Sequence, residues 1–179
     1  MVRTAFAVLV LSTALLSFPA LAQDNATAAA RGISGCGDRK AKFEVKPSTG
    51  KAPAQPEQGK ALVYFVEEDI NTNVVTHTSR ADIDGKSIGA TDGSSWFYFS
   101  VEPGIHHLCA TTHFGMSNDA TAVVHFTAEP GGTYYFEIKN LSWSGNGAHD
   151  ISLFPLDSDE GKFLTTSYQL VASDRKSVV

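Results

Sequence analysis

The chain has 179 residues, 14 basic and 19 acidic side chains, six histidines and two cysteines, for a formal net charge of −5. An acidic balance without a basic stripe argues against nucleic-acid binding. The length left after a leader suits one domain with one core.

The first residues, MVRTAFAVLVLSTALLSFPALA, carry Arg3 as a positive start, an apolar run from Ala5 to about Leu16, and Ala20-Leu21-Ala22 as a small-x-small cleavage site. Residues 1–22 therefore read as a secretory signal peptide. An uncleaved anchor is the competing reading, since the apolar run nears the lower length limit of a spanning helix; Pro19 and the A-x-A ending favour cleavage. Cleavage removes Arg3 alone among the charged side chains, so 13 basic groups face 19 acidic ones at a net charge of −6. Cys36 lies 14 residues beyond Ala22, too far for a lipoprotein anchor. No second apolar run is long enough to span a bilayer. The expected destination is the periplasm or the exterior. Residues 23–35, QDNATAAARGISG, are small, polar and aperiodic and read as a flexible leader to a domain over 36–172, with 173–179 as a loose tail.

In an oxidising compartment two cysteines with no third competitor pair with each other. A Cys36–Cys109 bond closes a loop of 73 residues and pins the start of the domain to an inner strand.

Strand signals begin at AKFEVK (41–46), where apolar and charged residues alternate, followed by a Pro-Gly loop over 47–59. KALVYFVEE (60–68) is apolar on both faces and reads as a central strand. SRADIDG (79–85) and KSIGA (86–90) meet at Asp84-Gly85, the pair a tight hairpin demands. SWFYFSV (95–101), GIHHLCATTH (104–113), ATAVVHFTA (120–128), TYYFEIKN (133–140) and HDISLFPL (149–156) continue the pattern, the last as the final strand. One helix is expected in LDSDEGKFLTTSYQL, capped by Asp157 with Glu160 in capping-box position and Phe163, Leu164 and Ser167 facing the sheet. The fold class is mainly all-β: an antiparallel β-sandwich, immunoglobulin-like or transthyretin-like, with one short C-terminal helix.

Together, CGD near the mature start, QPEQGKALVYFVEE, IDGKSIGA, SSWFYFSVEPGIHHLC, HFTAEPGGTYYF and LDSDEGKFL resemble the bacterial family known as domain of unknown function 2846, over about Cys36 to Ala172. The resemblance implies an exported or envelope protein with one fold unit, with Cys36 and Cys109 matching its cysteine positions. It implies no catalytic residue.

Three chemistries compete for the remaining motifs. VEPGIHHLCATTH (101–113) concentrates His106, His107 and His113, and His125 or His149 on a neighbouring element could complete a metal site. A strand spreads positions 107 and 113 roughly 20 Å apart, so they cannot share a metal, and a bridged cysteine donates no thiolate. The plainer reading is partly exposed or hydrogen-bonded strand histidines. Carboxylates at 157–161 break the EF-hand spacing, which leaves a helix cap. Trp96 and Tyr98, with Trp143 in SWSGNG, offer an aromatic platform for a sugar or peptide unless the helix covers them. No G-x-S-x-G, P-loop, H-E-x-x-H or dinucleotide glycine pattern is present. The expectation is an exported, non-catalytic β-sandwich without cofactor that binds a partner protein or envelope polymer and no nucleic acid. A periplasmic histidine-based metal-binding protein is the alternative.

Overall fold

A computed structural model describes residues 36–38, 40–68, 77–113, 119–144 and 148–176, with side chains for those outside 140–149. The signal peptide at 1–22, the leader at 23–35 and the side chains of Trp143 and His149 lie outside the described residues. Ten strands are described: β1 Phe43–Pro47, β2 Ala61–Glu68, β3 Thr78–Ile83, β4 Lys86–Asp92, β5 Ser95–Val101, β6 Gly104–Thr112, β7 Ala120–Ala128, β8 Thr133–Ser144, β9 Ala148–Leu156 and β10 Gln169–Arg175. One helix, α1 Ser158–Ser167, separates β9 from β10. The strands form a six-stranded sheet in the order β1-β10-β5-β2-β8-β9 and a four-stranded sheet in the order β4-β3-β6-β7.

β2 explains the architecture. Ala61, Val63 and Phe65 face the four-stranded sheet and meet Phe97, Val101, Phe136, Ile138, Ala81, Ile83, Leu108 and Ala110 in the inter-sheet core. Leu62, Tyr64 and Val66 point the other way and form a second core with Trp96, Tyr135 and Leu164 beneath α1. A strand covered on both faces reads as an unbroken apolar run, which is how β2 appears in the sequence. At one end of the inter-sheet space the apolar layer gives way to a relay in which Thr112 donates to Ser79 (2.8 Å) and Ser79 donates to Glu67 Oε1 (2.6 Å). These bonds join β2 of one sheet to β3 and β6 of the other.

The β3–β4 hairpin turns at Asp84 (φ 48°) and Gly85 (φ 79°), the two positive values that a type I′ turn requires. The Cys36–Cys109 bond is present, with Cα atoms 5.7 Å apart. Asp157 caps α1 by accepting hydrogen bonds from the amides of Asp159 (2.9 Å) and Glu160 (3.0 Å).

Four features bear on the sequence expectations, and the first and third correct them. First, β9 is not the last strand: β10 follows α1, pairs with β1 and with β5, and carries Ser173, Asp174 and Arg175 into the sheet beyond the boundary at 172. Second, the fold is the mainly antiparallel β-sandwich that the strand pattern leads one to expect, and within it two pairs of neighbours run parallel, β2 beside β8 and β10 beside β5, because the chain leaves the large sheet between them. Third, α1 does not turn Phe163 or Ser167 to the sheet; Phe163 is 63% exposed. The helix instead seats on Gly161 and Leu164, where a Cβ at 161 would lie 2.2 Å from Tyr135 Cγ, so only glycine permits the approach. Fourth, Trp96 lies under the helix end, as the alternative to an aromatic platform expects: it is only 7% exposed and donates its indole N–H to the Tyr168 carbonyl (3.1 Å).

Candidate functional site

The outer face of the four-stranded sheet is built by strand alternation. Thr78, Arg80 and Asp82 of β3 share it, and the register sets Cys109 and Thr111 of β6 beside Asp82 and Arg80. Disulfide bonding draws the segment from Cys36 over this face, so closely that a Cβ on Gly37 would lie 2.7 Å from Asp82 Oδ1. Beneath it, Arg80 is 7% exposed and Asp82 fully buried. The Arg80 Nε lies 3.2 and 3.1 Å from the two Asp82 oxygens, and Nη2 lies 3.1 Å from Oδ2. A buried ion pair with this many contacts fixes the guanidinium in place rather than adding stability.

Between the covering segment and the sheet is a cavity of about 410 Å³, within the range of small-ligand sites. Its lining includes Lys40, Lys42, Lys176, Arg80 and Thr111, together with His113, whose Nδ1 lies 2.6 Å from Oδ1 of Asp119, the one carboxylate in the described lining. Among the described residues no carboxylate comes within ion-pair distance of Lys40, Lys42 or Lys176. Three lysines with no carboxylate at ion-pair distance among the described residues, and Arg80, whose charge Asp82 offsets, therefore line one cavity in a chain whose overall charge is negative. Lysines beside the hydroxyl-bearing Thr78 and Thr111 give the cavity a field and donors of the kind that suit an anion. Lys40, Lys42, Arg80 and Lys176 were not singled out in the sequence. The only signals there are the short basic runs RKAK (39–42) and DRK (174–176), which become neighbours because the Lys176 amide donates to the Lys42 carbonyl (2.8 Å).

A second polar cluster sits at the far ends of β2 and β8. Lys139 Nζ lies 3.0 Å from Glu68 and 3.4 Å from Glu137, and Tyr168 donates to Glu68 (3.2 Å). The hydrogen bond from Lys139 lowers the Glu68 pKa, whereas burial raises that of Glu137, which is 2% exposed. Burial, then the Glu68 charge, pushes the Tyr168 hydroxyl up to about 12. Two carboxyl groups with opposed shifts have the electrostatics of an acid–base pair. Their common partner is the Lys139 ammonium, which also lies 5.6 Å from the centre of the Phe154 ring, so the group reads as a closed ion-pair network on the sheet.

The predicted histidines divide into two kinds. His106 sits between Asp84 Oδ2 (Nδ1 at 2.6 Å) and the Glu102 carbonyl (Nε2 at 2.6 Å). Burial alone would lower its pKa, but donating to two acceptors at once requires the imidazolium, so the net shift is upward. Asp84 responds in the opposite sense: burial would raise its pKa, and the His107 amide and His106 outweigh that and lower it. His107 and His125 face each other across β6 and β7, ring centres 6.3 Å apart, both exposed. Among the described residues no group of three or more histidine, cysteine or carboxylate side chains could hold a metal ion. Of the expected aromatic platform, Trp96 is buried, Tyr98 lies at the surface with its hydroxyl donating to the Lys51 carbonyl (3.3 Å), and the side chain of Trp143 lies outside the described residues. No helix among the described residues is long and apolar enough to cross a membrane. No protein-family model, curated protein or solved structure matches the chain.

Proposed function

We propose that this is an exported, non-catalytic β-sandwich protein that binds an anionic envelope component through the cavity beside Arg80, by a phosphate or carboxylate group. The observation carrying this reading is the set of three lysines lining one cavity with Arg80, none with a carboxylate at ion-pair distance among the described residues, in an acidic chain. Cleavage near Ala22 and an oxidising destination agree with the intramolecular disulfide. The resemblance to domain of unknown function 2846 points to the same compartment. The apolar share of the wall, Ala41 and Phe43, gives room for the carbon skeleton that bears the anion.

Calorimetric titration of the mature protein with inorganic phosphate, then with galacturonate as a carboxylate probe, tests the reading. One saturable site is expected, weakened about tenfold or more by Lys42→Glu with Lys176→Glu and weakened by added salt. Absence of binding to either probe at millimolar concentration, or unchanged affinity in the charge-reversed variant, contradicts it.

A further inference from the structure

We propose that His107 and His125 form a two-imidazole site for a late first-row transition metal, preferentially Cu(II), on the outer face of the β6–β7 pair. The inference is independent of the anion cavity. The register places the two residues directly opposite each other, so their Cβ atoms project side by side from adjacent strands. His106 and His113 are engaged: the first has both ring nitrogens bonded, and the second is held by Asp119. The rings of His107 and His125 make no hydrogen bond to a described residue and face each other, with the Asp84 carboxylate close enough to His107 to feel its charge. Both are exposed, which leaves the remaining coordination positions to water.

The distance is workable. With metal–nitrogen bonds of about 2.0–2.1 Å, two imidazoles sharing one ion at cis or tetrahedral angles place their ring centres ~4.5–5.2 Å apart. The observed 6.3 Å must close by ~1–2 Å, which rotation about χ1 and χ2 of two exposed side chains supplies without moving the strands. The backbone is restrained on both sides. The His107 amide donates to Asp84 Oδ1 (2.9 Å), and two residues along the same face Cys109 is bridged to Cys36. The bridge removes the one nearby thiolate, so the site is nitrogen-only, which suits Cu(II) and Zn(II) and, by the order of divalent affinities, ranks copper first. Each imidazole must be neutral to bind, so protons compete with the metal and acidification releases it.

The test is titration of the tag-free mature protein with CuSO₄, followed by calorimetry and by electron paramagnetic resonance. One copper per chain is expected, with hyperfine structure from two equivalent nitrogens, and with ZnSO₄ binding more weakly. His107→Ala and His125→Ala should each weaken copper about tenfold or more, and His113→Ala should not. The spectrum of the unmutated protein is diagnostic even if a variant folds poorly. A spectrum without two histidine nitrogens, or one-to-one binding retained in the double variant His107→Ala/His125→Ala, overturns the proposal.

Discussion

Replacing Cys36 by alanine removes the covalent tie between the leading segment and β6 with little loss of packing, because Cys36 is only partly buried and Cys109 remains as a small buried thiol. The bridge spans 73 residues, so in the chain-entropy model it restricts the unfolded ensemble by about 4.4 kcal/mol at 25 °C. With a urea dependence of about 2 kcal/mol per molar, the unfolding midpoint should fall by about 2 M. Equilibrium unfolding followed by the fluorescence of buried Trp96 reads this directly. A reducing agent should lower the native protein to the variant's midpoint and leave the variant unchanged. The same variant should lose affinity for phosphate, because the segment carrying Lys40 and Lys42 is no longer held over Arg80. Equal midpoints for native and variant proteins under oxidising conditions would refute the view that the bridge stabilises the domain by closing this loop.

Gly161→Ala should destabilise the fold by about 2–3 kcal/mol, as overpacking against Tyr135 exceeds the helix-propensity gain; thermal unfolding at or above the native midpoint would contradict the close seating of α1. Asp157→Ala should cost about 1 kcal/mol because the Asp159 and Glu160 amides lose their shared acceptor, Asp157 Oδ1, measured by urea unfolding, and no loss would mean the cap is replaced by water. The folded pKa of Glu137 is raised by burial above 4.5, so its favourable contribution is complete below that pH and is lost as pH rises through the folded value. Glu137→Gln does not titrate, so its melting temperature should gain on the native protein's between pH 4.5 and about pH 7. A difference that stays constant or shrinks across that range would contradict burial as the cause.

Much of the sheet was legible because its determinants are local. Alternation marked β1, an unbroken apolar run marked β2, and Asp84-Gly85 fixed a hairpin through its own backbone preference. β10 was missed because QLVASDR holds only three apolar residues, in one short run; it is a strand by virtue of β1 and β5 beside it, which is tertiary context. Phe163 misled because a helix that rests on a glycine contacts the sheet along a narrower line than an apolar stripe implies. The disulfide followed from cysteine number and compartment. The cavity did not follow from anything local, since Lys40, Arg80 and Lys176 meet only when the Cys36 segment and the end of β10 are brought over β3. His107 and His125 were both candidates, but their pairing depends on the β6–β7 register, which a one-residue slip would abolish.

The most direct test of the central claim is a two-dimensional amide NMR titration of the mature protein with inorganic phosphate. The account predicts saturable shifts confined to Lys40, Lys42, Thr78, Arg80, Thr111 and Lys176, with α1 and the Glu68–Lys139 cluster silent. A spectrum unmoved at millimolar phosphate, or shifts centred on another face, would contradict it.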